Sequence, residues 1–193
     1  MTFKKNLPNY LTYFRIAVIP ALTLVFFIKG EWGYILSAGL FLLASITDWL
    51  DGYIARMWQA QSNIGRFLDP IADKLLVATA LLLLVGEGRA DYSDGRAMMI
   101  PAIAIVCREI LVSGLREFLA EIRIGVPVSS LAKWKTAAQM VAIFLLLLGG
   151  GGPDSLHAGW LGNFLLWLAA LLTLFTGYAY CKIGWKHMSE ETL

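Results

Sequence analysis

Apolar residues fall into six blocks along this 193-residue chain. The blocks lie near 9–28, 34–57, 66–86, 97–121, 129–149 and 159–182. About 20 such residues cover the hydrocarbon core of a bilayer as a helix, so each block can span. None shows the two-residue alternation of a membrane barrel, and helices are expected throughout. Breakers gather in short connectors: KGEWG, QAQSNIG, EGRADYSDGR, RIGVP and GGGGPDS. No repeat, low-complexity tract or linker divides the blocks, so residues 1–193 read as one domain. The fold class expected is all-α, an integral membrane bundle of six transmembrane helices. A short N-terminal interfacial segment carrying Phe3, Lys4 and Lys5 precedes it, suited to anionic headgroups.

Composition supports a membrane class. Hydrophobic residues make up 58% of the chain and charged residues 16%, against about 45–50% and about 25% in soluble domains. A formal net charge of +2 is too small to argue for nucleic acid. Cys107 and Cys181 both lie in apolar segments and read as small buried hydrophobes. Lysines followed by an apolar run resemble a secretory leader, but Arg15 interrupts the run and no A-x-A-like site closes it. A retained first helix is expected.

The placement of lysine and arginine orients the helices. With a cytoplasmic N-terminus, Lys4, Lys5, Arg15, Arg56, Arg66, Arg116, Arg123, Lys133, Lys135, Lys182 and Lys186 share one side. Only Lys29, Arg89 and Arg96 fall opposite. The expected topology is N-in and C-in. The tryptophans and tyrosines suit interfacial belts and the bundle core, and His157 and His187 lie too far off to serve an acidic site.

Two acidic clusters stand out against this background. DWLDGYIAR closes the second block and GRFLDPIADK opens the third, both on the cytoplasmic side. At about 100° per residue, Asp48, Asp51, Gly52 and Ala55 share one helix face. Gly65, Asp69, Ala72 and Asp73 share a face of the next helix. Short-looped neighbours pack antiparallel, so the two faces can meet around a cavity kept open by glycine and alanine. Ionised groups at membrane depth cost several kcal/mol unless paired and mark function by default. The plainer alternative is an internal ion network neutralised by Arg56, Arg66 and Lys74. Four oxygen donors without a nearby histidine or thiolate suit Mg2+ or Mn2+ better than zinc, copper or iron. Two such ions could clamp a phosphoryl group.

The same residues form D-x2-D-G-x2-A-R-x8-G-x3-D-x3-D without departure, supplied by Asp48, Asp51, Gly52, Ala55, Arg56, Gly65, Asp69 and Asp73. This resembles the CDP-alcohol phosphatidyltransferase family. NLPNYLTYFR, REILVSGLREFLA and KWKTAAQM extend the likeness over most of residues 6–148, toward members whose acceptor is glycerol 3-phosphate. The resemblance implies that Asp48, Asp51, Asp69 and Asp73 hold two divalent cations, which bind the pyrophosphate of CDP-diacylglycerol. It makes Asp73 the general base and assigns Gly52, Ala55, Arg56 and Gly65 to the cytidine nucleotide. Asn9, Thr12 and Arg15 lie near the same mouth. It further implies a homodimer; a short chain without a transit peptide suits a bacterial inner membrane, and the lysine and arginine bias has the active site facing the cytoplasm. The products would be phosphatidylglycerol phosphate and CMP.

A phosphorylated acceptor needs its own cations, and Arg108, Arg116, Lys133 and Lys135 are the candidates. Positive-inside anchoring explains Arg123 and competes as an explanation for Arg116, Lys133 and Lys135. An Arg108–Glu109 or Arg108–Glu117 ion pair competes for Arg108. Other readings remain open from the residues. Another acceptor (inositol phosphate, phosphatidylglycerol or serine) keeps the same chemistry. An intramembrane prenyltransferase also uses aspartate pairs, though without D-G-x2-A-R. A divalent cation transporter would want its acids nearer mid-membrane and has no need of Arg56 or Gly52.

Overall fold

Each apolar block forms a helix, since a backbone surrounded by lipid must satisfy its own hydrogen bonds. The computed structural model describes residues 2–58, 63–87, 95–125, 130–152 and 157–190. Its helices are α1 (Thr2–Phe26), α2 (Glu31–Trp58), α3 (Asn63–Glu87), α4 (Gly95–Glu121), α5 (Ser130–Leu148) and α6 (Ala158–Glu190). A single 3-10 turn, Gly149–Gly151, follows α5. The expected N-terminal segment is no separate element: α1 already begins at Thr2, so residues 3–5 continue its axis. The second, third and sixth helices also outrun the expected bounds, because polar ends extend the ladder beyond the apolar stretch.

Among the described residues, four helices contain stretches long and apolar enough to cross a membrane: Asn9–Phe26, Ala97–Glu121, Leu131–Leu148 and Ala158–Trp185. This is a multi-pass membrane protein. The helices alternate in direction. The N-terminal half of α1 meets the C-terminal half of α2 and the N-terminal half of α3 through Arg15 and Thr12. The second half of α4 meets the start of α5 and the second half of α6 through Glu109 and Arg108. Helix α1 packs on α2 and α3, α3 on α4, and α6 on both α4 and α5.

The core forms where stripes at helical spacing converge. Val18, Leu22 and Phe26 of α1 repeat every four residues and are buried. They join Phe41 and Ala44 of α2, Leu76, Ala80 and Leu84 of α3, and Ile143 and Leu146 of α5. Close approach of α5 and α6 depends on Gly162, where a Cβ would lie 2.8 Å from the Leu146 Cγ and 3.2 Å from the Ala142 carbonyl oxygen. Large apolar side chains also cover the outside, among them Leu24, Leu82, Leu171 and Phe175, as lipid contact requires. Trp32 and Trp160 are exposed at one end of the bundle, Trp134 and Trp185 at the other. Two such levels match the headgroup zones of a bilayer.

Helix α4 stops at a Schellman turn. The Ile124 N–H donates to the Leu119 carbonyl at 2.8 Å and the Arg123 N–H to the Ala120 carbonyl at 3.0 Å. Arg123 takes the left-handed conformation there, with φ of 59°.

Candidate active site

At the end of the bundle shared by the start of α1, the end of α2 and the start of α3, three carboxylates come together with one arginine. Arg15 is fully buried, and its Nη1 donates to Asp48 Oδ1 at 2.9 Å and to Asp73 Oδ1 at 2.8 Å. One turn earlier on the same helix face, the buried Thr12 hydroxyl donates to Asp69 Oδ1 at 2.5 Å. Asn9 continues this stripe at the same spacing. The α1 stripe Asn9–Thr12–Arg15 therefore stands against the acidic faces of α2 and α3.

The local sequence explains why these groups converge. Ala72 is completely buried between Asp69 and Asp73, and Gly65 is buried one turn before Asp69. Small residues let the α3 face approach its neighbours while the carboxylates project beside them. Pro70 sits inside α3 between the two aspartates. It donates no backbone hydrogen bond, which relaxes the ladder where the acids must be placed. The side chains of Asp51, Gly52, Ala55 and Arg56 belong to α2 but lie outside the described residues, as does that of Arg66.

Among the described residues, the cation that pairs with Asp48 and Asp73 is Arg15; of the expected set, Arg56 and Arg66 lie outside those residues. Lys74 lines the same cavity as Asp48 and Asp73 and donates to the Ser113 hydroxyl of α4. Arg15 could have been found in the sequence: it is the single charge within an apolar run, three residues after Thr12. Nothing within α1 could pair it, so its partner had to come from another helix. Among the described residues, no group of three or more acidic, histidine or cysteine side chains closes around one point. Two aspartates do converge on one positive centre, and their donors are all hard oxygens. That donor set fits Mg2+ or Mn2+.

Beside the aspartates opens a cavity of about 300 Å³ between α3, α4 and α5. Asp48 and Asp73 line one part of it, and Glu109, Thr136 and Gln139 another. Glu109 and Thr136 also form a wall of a second cavity, of about 420 Å³. That second space is lined by all four expected cations: Arg108, Arg116, Lys133 and Lys135. One carboxylate against four cations leaves it positive. Arg116 and Lys133 are exposed there, whereas Lys135 is buried and donates to Glu109 Oε1.

Arg108 is held mainly by α6. Its Nε donates to the Thr173 carbonyl at 3.1 Å and its Nη2 to the Thr176 hydroxyl at 2.9 Å. The guanidinium also lies 5.8 Å from the centre of the Tyr180 ring. Gly177 makes room for it, since a Cβ at that position would stand 3.0 Å from Arg108 Cγ. The expected pair with Glu109 is present at 3.5 Å, secondary to these bonds. Glu109 thus receives two cations and stands at the junction of both cavities, a role the sequence did not announce.

A family model described as CDP-alcohol phosphatidyltransferase matches residues 5–175. Three bacterial proteins similar to this chain carry the name CDP-diacylglycerol–glycerol-3-phosphate 3-phosphatidyltransferase. That of Rickettsia bellii is 48% identical, covering 97% of this chain and 99% of its own length. That of Pectobacterium atrosepticum is 42% identical over 96% of this chain and 98% of its own. That of Cereibacter sphaeroides is 36% identical over 96% and 98%.

Proposed function

Since this chain belongs to the CDP-alcohol phosphatidyltransferase family, we propose that the joined acidic and basic cavities are where it transfers a phosphatidyl group from CDP-diacylglycerol to glycerol 3-phosphate. The products are phosphatidylglycerol phosphate and CMP, and the reaction serves phospholipid synthesis. The observation that carries this reading is the shared Glu109–Thr136 wall. A positively charged cavity adjoining the one lined by Asp48 and Asp73 supports a phosphorylated acceptor reacting beside a metal-bound diphosphate.

Asp48, Asp51, Asp69 and Asp73 would hold two divalent ions, Mg2+ or Mn2+. When bound, these neutralise the diphosphate and the charge that develops on it. The remaining work belongs to the chain. Arg108, Arg116, Lys133 and Lys135 take the acceptor phosphate. The acceptor hydroxyl then points toward Asp73, whose carboxylate accepts its proton. The hydroxyl oxygen forms a bond to the lipid-proximal phosphorus, and the bond from that phosphorus to the CMP oxygen breaks. CMP leaves with the electron pair. Arg15 fixes Asp48 and Asp73 relative to one another, so positioning carries most of the rate. Asn9, Thr12, Gly52, Ala55, Arg56 and Gly65 shape the nucleotide end.

All six helices cross the membrane in this reading, N-in and C-in, with the site on the cytoplasmic face of a bacterial inner membrane. Support comes from Arg116, Arg123, Lys133 and Lys135, which cluster at the same end as the aspartates. The active form is a homodimer, as family membership implies.

The test is CMP release by purified enzyme given CDP-diacylglycerol and, separately, glycerol 3-phosphate, inositol phosphate, phosphatidylglycerol and serine. Turnover is expected with glycerol 3-phosphate and lost in Asp73→Asn. A different preferred alcohol overturns the acceptor assignment, and cation flux without any turnover overturns the enzyme.

A further inference from the structure

Gln139 lines the cavity between the aspartates and the basic pocket. It is only 3% exposed, yet its carbonyl oxygen has no hydrogen-bond partner among the described residues. A buried acceptor left unpaired is destabilising, whereas methionine would fill the same space without that cost. The other polar groups of the wall are engaged within the protein. Asp48 and Asp73 share Arg15, Lys74 donates to Ser113, Glu109 receives Lys135, and the Thr136 hydroxyl donates to the Ala132 carbonyl at 3.0 Å. Among the described residues, Gln139 holds the one fully buried acceptor of this wall that has no partner.

We propose that Gln139 is a specificity-determining residue that accepts a hydrogen bond from the middle hydroxyl of the acceptor. This rests on the reading above, in which the acceptor is a three-carbon phosphate ester. The placement follows from α5. Gln139 stands four residues beyond Lys135, about 6 Å along the helix axis. An acceptor with its phosphate at Lys135 and its attacking hydroxyl toward Asp73 carries its middle carbon past Gln139. A neutral amide suits this position. A further carboxylate beside Asp48, Asp73 and Glu109 would repel the phosphorylated ligand, and an apolar side chain would leave the hydroxyl unpaired.

The experiment compares glycerol 3-phosphate with 3-hydroxypropyl phosphate, which has the same length but lacks the middle hydroxyl. Full-length enzyme with CDP-diacylglycerol is used for wild type, Gln139→Leu and Gln139→Met. Wild type is expected to favour glycerol 3-phosphate by about tenfold or more in kcat/KM. Both variants should lose that factor on glycerol 3-phosphate alone, so the ratio between acceptors falls toward one. The KM for CDP-diacylglycerol should not move, and the melting temperature should hold or rise because an unpaired buried acceptor has been removed. A purely structural role lowers both acceptors equally, and that result overturns the assignment. So does a preserved acceptor ratio, or a change confined to the KM for CDP-diacylglycerol, which would put Gln139 on the lipid donor. Failure of the underlying reading looks different: wild type itself releases no CMP with glycerol 3-phosphate.

Discussion

Replacing Arg15 by methionine removes the one described cation that Asp48 and Asp73 share while keeping much of the buried volume. Removing one partner of a fully buried ion pair costs about 3–5 kcal/mol, because the other charge is left uncompensated. Here the guanidinium is wholly buried, but the two carboxylates are 33% and 41% exposed. Water screens what remains, and the expected loss falls to about 2 kcal/mol. For a chain of this size that corresponds to a melting temperature lower by roughly 4–8 °C. The assay is thermal unfolding of purified protein in detergent and chelator, followed by circular dichroism. Two further measurements isolate the cause. In an Asp73→Asn background the same replacement should cost about 1 kcal/mol less, since one of the stranded charges is gone. Adding Mg2+ should narrow the gap to wild type, as a bound cation then supplies the missing charge. An unchanged melting temperature, or strict additivity in the Asp73→Asn background, would refute the reasoning.

Three other perturbations probe separate parts of the structure. Lys135→Met should raise the KM for glycerol 3-phosphate about tenfold while leaving the KM for CDP-diacylglycerol unchanged; steady-state kinetics with each substrate varied would show otherwise. Adding Glu109→Gln should recover part of the stability lost when Glu109 keeps only the more distant Arg108, without restoring that KM. Gly162→Ala drives a Cβ against the α5 backbone and should cost about 1–3 kcal/mol in thermal unfolding, with both KM values intact. Chelation by EDTA should abolish CMP release and Mg2+ or Mn2+ should restore it, so full activity in EDTA would count against the metal assignment.

The helical membrane class and the candidate acidic faces were legible in the residues alone. Long uninterrupted apolar blocks leave few alternatives to helices, because lipid supplies no partners for the backbone. The aspartate spacing likewise put carboxylates on one face of α2 and one face of α3, a consequence of the helical period alone. What a period cannot fix is which residue of a distant helix arrives at that face. Arg15 is separated from Asp73 by 58 positions, and only the packing of α1 against α2 and α3 makes it their shared partner. The same holds for Arg108. Its neighbour Glu109 was legible as a partner, yet its stronger bonds go to Thr173 and Thr176, 65 and 68 positions away. Tertiary packing also set Lys74 against Ser113, Glu109 between two cavities, and Gln139 in the interior with no partner for its carbonyl among the described residues. Local sequence governs hydrogen bonds within a helix. Pairing between helices depends on their rotation and depth in the bundle, and those are set by how all six pack together.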